Sequence, residues 1–311
     1  MQIAVTGGAG FIGANLVRRL LDDGDTVSVL DDFSTGLRTN LDGCSATVVE
    51  GSILDPAALD EVIAGADSVV HLAARPSVPR SLADPIASHE ANATGTLMVL
   101  EAARRAGGPY VVLASSSSVY GANPALPKHE GLRPMPRSPY AVSKLATESY
   151  GIAYGACFAL PVLALRFFNV YGPLQSSGHA YAAVVPVFVS SALTGSELVV
   201  HGDGLQTRDF TFVGSVTSAL ANALHDRVTS PDPVNLAFGT RANLLDVIAE
   251  LESIIGRPLP RAHVEPRPGD VRDSQADDSR LRALLPDLEP VPLRIGLAQT
   301  VEWYRQATAG I

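Results

Sequence analysis

The sequence predicts an α/β protein with a doubly wound parallel sheet and a smaller C-terminal domain, and three observations carry the prediction. Short apolar runs alternate with helix-length segments through the first half of the chain. A glycine-rich turn joins the first run to the first helix. Beyond Asn169 the texture changes, and Pro and Gly punctuate shorter elements. Strands separated by helices imply parallel pairing with helices on both faces.

Taken in order, QIAVT forms the first strand and a helix follows over 13–22. TVSVL is the second strand, followed by a loop, and TVVEG and SVVHLAA are the third and fourth. A helix covers 86–106, YVVLASS is the next strand, a helix spans 139–156, and PVLALRFF closes the series. From Tyr171 onward the breakers YGP, GSE, HGDG, GRPLP, RPGD and LLP interrupt the pattern. The first domain is therefore expected over 1–170, with 213–240 (a helix over 213–226 and a strand near Val234) returning to it. The second domain takes 171–212 and 241–311.

With 311 residues the chain can bury a substantial core. Its formal net charge is −9 and it has no run of five or more Lys or Arg, which excludes a nucleic-acid surface or an anionic-membrane surface as a partner. Cys44 and Cys157 stand alone, without the spacing of a disulfide framework or a zinc site, so no metal is expected. No stretch of about eighteen apolar residues occurs, and the start MQIAVTGGAGFIG lacks a basic leader. A soluble, cytoplasmic protein is expected.

The first strand runs into Thr6-Gly7-Gly8-Ala9-Gly10-Phe11-Ile12-Gly13, a GxxGxxG pattern directly before a helix. Glycine allows backbone to approach a pyrophosphate, and the helix N-terminus offers free N–H groups and a positive dipole end. In that context the pattern reads as a dinucleotide site on a Rossmann fold. Asp31 ends the second strand eighteen residues after Gly13, where its carboxylate can accept ribose hydroxyls and would repel a 2′-phosphate. With Asp32 beside it, NAD is favoured over NADP. Ser52 and Ile53 are placed to flank the adenine, and His71 reads as a packed strand-end residue rather than a base.

Tyr140 and Lys144 are four apart on a predicted helix and share a face. A free phenol, with a pKa of about 10, is a poor base at neutral pH, and an ammonium and the positive charge of oxidised NAD both favour its phenolate. Upstream, a strand ends in Ser115, Ser116, Ser117 and Ser118, one of which can hydrogen-bond the oxygen that Tyr140 deprotonates. With the glycine motif, these residues form a reactive constellation.

Through TGGAGFIG, DDFSTG, HLAA, SSSSVYG, SPYAVSK, LRFFNVYGP, GDGLQTRDF and RPGDVRDSQAD the chain resembles the extended short-chain dehydrogenase/reductases, in their nucleotide-sugar epimerase and dehydratase group. The resemblance implies that Ser116 is the catalytic serine, with Tyr140 as base and Lys144 as its partner. It implies NAD contacts from Gly7, Gly10, Phe11, Ile12, Gly13, Asp31, Asp32, Ser34, Thr35, Gly36, Ser52, Ile53, Leu72, Ala73, Ala74, Asn92, Ser115, Tyr140, Lys144 and Phe167. On the substrate side it points to Ser77, Val78, Arg80, Ser116, Ser117, Ser118, Tyr140, Phe168, Asn169, Ala183, Val184, Val199, His201, Arg208, Arg267, Asp270 and Ser274. Arg208 and Arg267 are expected at the diphosphate, since guanidinium binds phosphate by charge-assisted bonds. A homodimer packed through the helices around 92–106 and 140–156 is a further implication.

Nucleotide-sugar dehydratases of this group follow the catalytic threonine with an Asp-Glu pair, and the related decarboxylases carry Glu where Ser118 stands. Hydroxyls cannot replace carboxylates in proton transfer near neutral pH. The remaining expectation is NAD-dependent inversion at C4 of a UDP-sugar through a transient 4-keto intermediate, with a dehydratase or reductase as the alternative. The segments SVPRS and YAAV, with the small Ser274, resemble the subgroup that accepts UDP-N-acetylhexosamines or their uronic acids. UDP-glucose/galactose and UDP-uronates remain candidate sugars.

Overall fold

The computed structural model describes residues 1–178, 182–266 and 272–309. In chain order the elements are β1 (Gln2–Thr6), α1 (Phe11–Asp22), β2 (Thr26–Asp31), β3 (Thr47–Glu50), α2 (Pro56–Ile63), β4 (Ser68–His71), α3 (Val78–Ala83), α4 (Pro85–His89) and α5 (Gly95–Arg105). There follow β5 (Tyr110–Ser116), α6 (Pro139–Phe158), β6 (Val162–Phe167), β7 (Asn169–Tyr171), α7 (Val184–Thr194), β8 (Leu198–His201), β9 (Thr207–Arg208) and β10 (Phe210–Phe212). The chain continues with α8 (Val213–His225), β11 (Val234–Leu236), β12 (Ala242–Asn243), α9 (Leu244–Ile255), β13 (Arg261–Val264), α10 (Ser279–Leu284) and α11 (Leu293–Ala309).

Among the described residues, seven strands form one parallel sheet in the order β11-β6-β5-β4-β1-β2-β3. The order reverses direction between β1 and β4, and such a switch point opens a crevice at the C-terminal strand ends. Val, Leu and Ile fill both faces: Val5, Leu16, Leu163 and Leu220 belong to one core, and Leu30, Ile63, Val99 and Leu113 to the other. Burial on both sides explains why these strands read as continuous apolar runs.

α8 places Val216, Leu220 and Leu224 in the same core as Leu16 and Val17 of α1, and β11 pairs with β6 at the sheet edge. A further core joins Phe188 of α7, Val200 of β8, Phe212 of β10, Val247 and Leu251 of α9, and Leu297 and Val301 of α11. It carries the short strand pairs β10·β7, β12·β9 and β13·β8.

Three elements differ from the sequence expectation. The helix over 86–106 is not one α-helix: α4 and α5 are joined by a π turn over Glu90–Thr94, which accommodates an extra residue and turns Asn92 inward. The short α2, with Asp55 capping Ala57 N and Pro56 at its start, covers the sheet between β3 and β4. Leu281 and Leu285 of the α10 segment pack into the first core with Leu288, so this part of 241–311 belongs with the sheet rather than with the second core.

Candidate active site

A cleft of 1210 Å³ runs across the C-terminal ends of β1, β2, β4 and β5. This exceeds the roughly 300–1,000 Å³ of a pocket for one drug-sized molecule. At its floor, α1 starts directly after Gly10, so the N–H groups of its first turn face the cleft. A Cβ at Gly13 would lie 2.2 Å from the Gly7 carbonyl oxygen, and one at Gly7, whose φ is +74°, 2.6 Å from Ala73 N. Glycine is therefore required where β1, α1 and the strand end of β4 converge, and the resulting cradle fits a pyrophosphate.

Asp31 sits at the end of β2 with its carboxylate buried; Oδ2 accepts from Ala9 N at 2.9 Å and Oδ1 from Phe33 N at 2.8 Å. Burial pushes its pKa up and these two bonds pull it down. The carboxylate is thus held rigidly against the glycine loop, with acceptor capacity left for a ribose. Asp32, Ser34, Thr35, Ser52 and Ile53 border the same end of the cleft, and Phe11, Ile12, Leu72, Ala73, Ala74 and Phe167 line its length.

Two predicted cofactor residues lie outside that lining. Gly36 is buried behind it, where a Cβ would meet Ala9 C at 2.9 Å and Asp31 Oδ1 at 3.0 Å. Asn92 is buried beneath it: Oδ1 accepts from Arg75 N at 2.7 Å, and Nδ2 donates to Arg75 O at 3.2 Å and Ser143 Oγ at 2.9 Å. Its amide fastens the loop after β4 to α6. Ser115 borders the cleft, but its hydroxyl donates to Glu148 Oε2 at 2.7 Å, with Lys144 O also near at 3.2 Å, on the side away from it.

At the other end the cleft opens into a second pocket of 520 Å³, and Ser77, Tyr140, Phe168, Val170 and Ala183 border both. Ser138 caps α6 by accepting from Ala141 N at 3.1 Å, and Pro139 begins the helix. The first turn of α6 thereby sets Tyr140 at the junction, on the same cleft lining as Ser116, with Lys144 one turn below. Burial pushes the phenol pKa up and the Ser116 bond pulls it down. Lys144 donates from Nζ to Ala114 O at 2.8 Å, and burial lowers its ammonium to about 8. Ser77 caps α3 with a backbone φ of +97°, a strained conformation for serine that places it at the same junction.

Asn169, Val184, Val199, His201 and Arg208 line the second pocket, and Arg80 lines the cleft. Val78, Ser117, Ser118 and Ser274 line neither: Val78 opens α3 on the surface, Ser118 N donates to Ser116 Oγ at 3.2 Å, and Ser274 N donates to Thr207 O at 3.1 Å. Ser117 lies in the short 3-10 turn Ser117–Tyr120 that leads away from the junction. Arg267 and Asp270 fall outside the described residues, as does Tyr181 of the YAAV segment.

Sequence reasoning passed over Asp209, although it stands in the TRDF segment beside Arg208. Its side chain is fully buried, Oδ2 accepts from Ala276 N at 3.1 Å, and its carbonyl oxygen takes both Asn169 N and Asn169 Nδ2. Burial raises its carboxyl to about 7 against backbone bonds from Ala276, Phe238 and Gly239 that lower it. Asp209 therefore braces the two strands that present Asn169 and Arg208. His71 is packed as expected, between Thr6 Oγ1 at 2.7 Å and Thr96 Oγ1 at 3.1 Å, and burial lowers its pKa to about 3. No group of three or more potential metal-ligating side chains is found among the described residues, and no helix there is long and apolar enough to cross a membrane.

The protein is similar over nearly its whole length to known enzymes. It is 38% identical to a UDP-glucose 4-epimerase of Mycolicibacterium smegmatis, over 98% of this chain and 99% of that one. Its structure matches a UDP-N-acetylglucosamine 4-epimerase from Methanobrevibacter ruminantium, in complex with UDP-N-acetylmuramic acid, with a TM-score of 0.93 and 33% identity over 98% of each chain. A UDP-glucuronic acid 4-epimerase from Bacillus cereus, in complex with UDP-glucuronic acid and NAD, matches with a TM-score of 0.89 and 31% identity, over 99% of this chain and 100% of that one. The family model described as the NAD dependent epimerase/dehydratase family matches residues 3–237. With its parallel sheet, its glycine cradle and the Ser116–Tyr140–Lys144 arrangement, the chain belongs to the NAD dependent epimerase/dehydratase family.

Proposed function

We propose that the protein is an NAD-dependent isomerase that inverts C4 of a UDP-sugar. The observation that carries this reading is the placement of Tyr140, with Ser116 and Lys144 on the same cleft lining, where the dinucleotide cleft meets a second pocket. Among the described residues lining that second pocket there is no Asp or Glu. Elimination of water from the hexose needs a carboxylic acid and base beside the ring, whereas inversion at C4 needs one proton site.

The residues that fit NAD are the Gly7–Gly10–Gly13 cradle and the first turn of α1 for the pyrophosphate, Asp31 for the adenosine ribose, and Lys144 for the nicotinamide end. NAD held there would supply reversible hydride transfer at C4 of the sugar. Tyr140 takes the O4 proton as that hydride departs and gives it back in the reverse sense, and Ser116 holds O4 in line. Burial disfavours the phenolate, and a positive charge on Lys144, one helical turn away, would favour it.

Inversion requires the keto sugar to turn over while its nucleotide stays anchored. Arg208 and Asn169, on strands braced by Asp209, line the second pocket and would hold the diphosphate. The walls nearer Tyr140 include Ala182, Ala183, Val184 and Phe168, which offer few directional bonds to a hexose. A firm grip on phosphate and a loose one on sugar suit rotation between the two transfers. The small residues also leave volume for a 2-acetamido group, so UDP-N-acetylhexosamines join UDP-glucose/galactose and UDP-uronates as candidate substrates.

The reading extends to a cytoplasmic homodimer. Its support is the exposed apolar side chains Val142 and Tyr150 on α6 and the unpaired Cys44 and Cys157. The function is tested by incubating the purified protein separately with UDP-N-acetylglucosamine, UDP-glucose and UDP-glucuronate without added cofactor. An isobaric C4 epimer is expected from at least one of them; loss of water or carbon dioxide as the only change would refute it.

A further inference from the structure

Glu148 and Arg166 form an ion pair that neither pocket touches, with both side chains only 3% exposed. Glu148 stands on α6 one turn beyond Lys144 and two beyond Tyr140, on the same stripe of the helix. Arg166 of β6 and Ser115 of β5 are register partners, and both side chains converge on Glu148. Glu148 Oε1 accepts from Arg166 Nη2 at 2.6 Å, while Oε2 accepts from Arg166 Nε at 3.0 Å and from Ser115 Oγ at 2.7 Å. The Arg166 guanidinium carbon lies 4.7 Å from the centroid of the Tyr120 ring. Tyr120 closes the short turn that begins directly after Ser116. The pair therefore grips the chain on both sides of Ser116, at Ser115 and at Tyr120, and ties it to the helix that carries Tyr140.

A buried ion pair is a poor way to gain stability, because desolvating two charges consumes much of their attraction and apolar side chains of equal volume often do as well. What apolar packing cannot reproduce is direction: a bidentate fork fixes the angle between its partners as well as their distance. We infer that Glu148 and Arg166 are positioning residues that set the Ser116 hydroxyl against the Tyr140 phenol. Hydrogen bonds weaken steeply off axis, so a small drift of Ser116 would loosen its hold on the phenolate. Their role in turnover rests on the reading of Tyr140 as the proton site of C4 inversion, but the hydrogen bond they set up is measurable without any sugar.

Two effects of removing Glu148 have opposite sign at Tyr140. Loss of the Ser116 bond raises the phenol pKa, since that bond lowers it. An unpaired Arg166 acting through space would lower it, as a nearby positive charge favours phenolate.

The experiment is an ultraviolet difference titration of the NAD-loaded protein, each variant measured against its own Tyr140→Phe counterpart so that only Tyr140 is read. Ser116→Ala is expected to raise the phenol pKa by about one pH unit, a tenfold change in its ionisation constant. Glu148→Gln is expected to raise it comparably, Ser115→Ala by less, and Ser116→Ala/Glu148→Gln no further than Ser116→Ala alone. A Glu148→Gln shift that is absent, downward, or fully additive with that of Ser116→Ala would overturn the inference. If Glu148→Gln fails to fold, Ser115→Ala alone and combined with Ser116→Ala carries the same comparison. Failure to invert any UDP-hexose would sink the proposed function and leave this titration intact.

Discussion

Lys144 Nζ donates to the carbonyl oxygen of Ala114 at 2.8 Å, which pins the ammonium to the end of β5 directly beneath the Tyr140–Ser116 junction. Burial lowers its pKa from 10.5 to about 8, so between those values the unfolded chain binds the proton and the folded protein does not. Stability therefore rises as pH rises through that window, and below it the buried charge costs about 3 kcal/mol. The thermal midpoint of the dinucleotide-free protein should climb between pH 8 and about 10.5, and Lys144→Met should abolish that climb. At pH 7 the variant should be at least as stable as the parent while its kcat falls by roughly 100-fold or more.

Tyr140→Phe should lower kcat by about 10³-fold and Ser116→Ala by about 10²-fold, within the range that one proton-transfer group supplies. Neither lines the glycine cradle, so resident NAD should stay at the parent level by absorbance of the denatured supernatant. Loss of cofactor in step with activity would place their role in binding instead.

Gly13→Ala and Gly10→Ala should separate cleanly. The new Cβ meets backbone at 2.2 Å in the first and at 3.2 Å in the second. Gly13→Ala should lower the thermal midpoint of the dinucleotide-free protein by several degrees, following about 2 kcal/mol or more of strain, and Gly10→Ala by little. Equal midpoints by calorimetry would argue against the tight crossing of α1 over β1.

Replacing the Asp31 carboxylate should narrow the preference for NAD over NADP. Asp31→Asn removes the charge that repels a 2′-phosphate while keeping one acceptor for Ala9 N or Phe33 N. Calorimetric titration of the dinucleotide-free protein should show weaker NAD binding and a smaller ratio between the two affinities; an unchanged ratio would assign selectivity to another residue.

The sheet was legible because strands buried on both faces read as unbroken apolar runs, and Tyr140, Lys144 and Asp31 because their spacing from helix start or glycine turn is local. What depends on distant packing was not. The π turn at Glu90–Thr94 hides inside an ordinary helical pattern, and it directs the Asn92 amide to Arg75 and Ser143. Strands such as Thr207–Arg208 and Ala242–Asn243 have two residues each and exist only because they pair. Leu281 and Leu285 carry no local sign of which core they join. Nothing local in the sequence marks Glu148, which meets Ser115 and Arg166 only through the packing of α6 on β5 and β6.

The central claim, reversible transfer of hydride at C4 and of the proton at O4 with no carbon-bound hydrogen lost to solvent, is tested most directly by running the reaction in deuterium oxide and reading the product by proton NMR and mass spectrometry. An isobaric UDP-sugar, inverted at C4 with no deuterium on any ring carbon, is the predicted result. Deuterium at C5, or loss of water, would mean that a ring proton is removed by a base other than Tyr140 and would contradict the account.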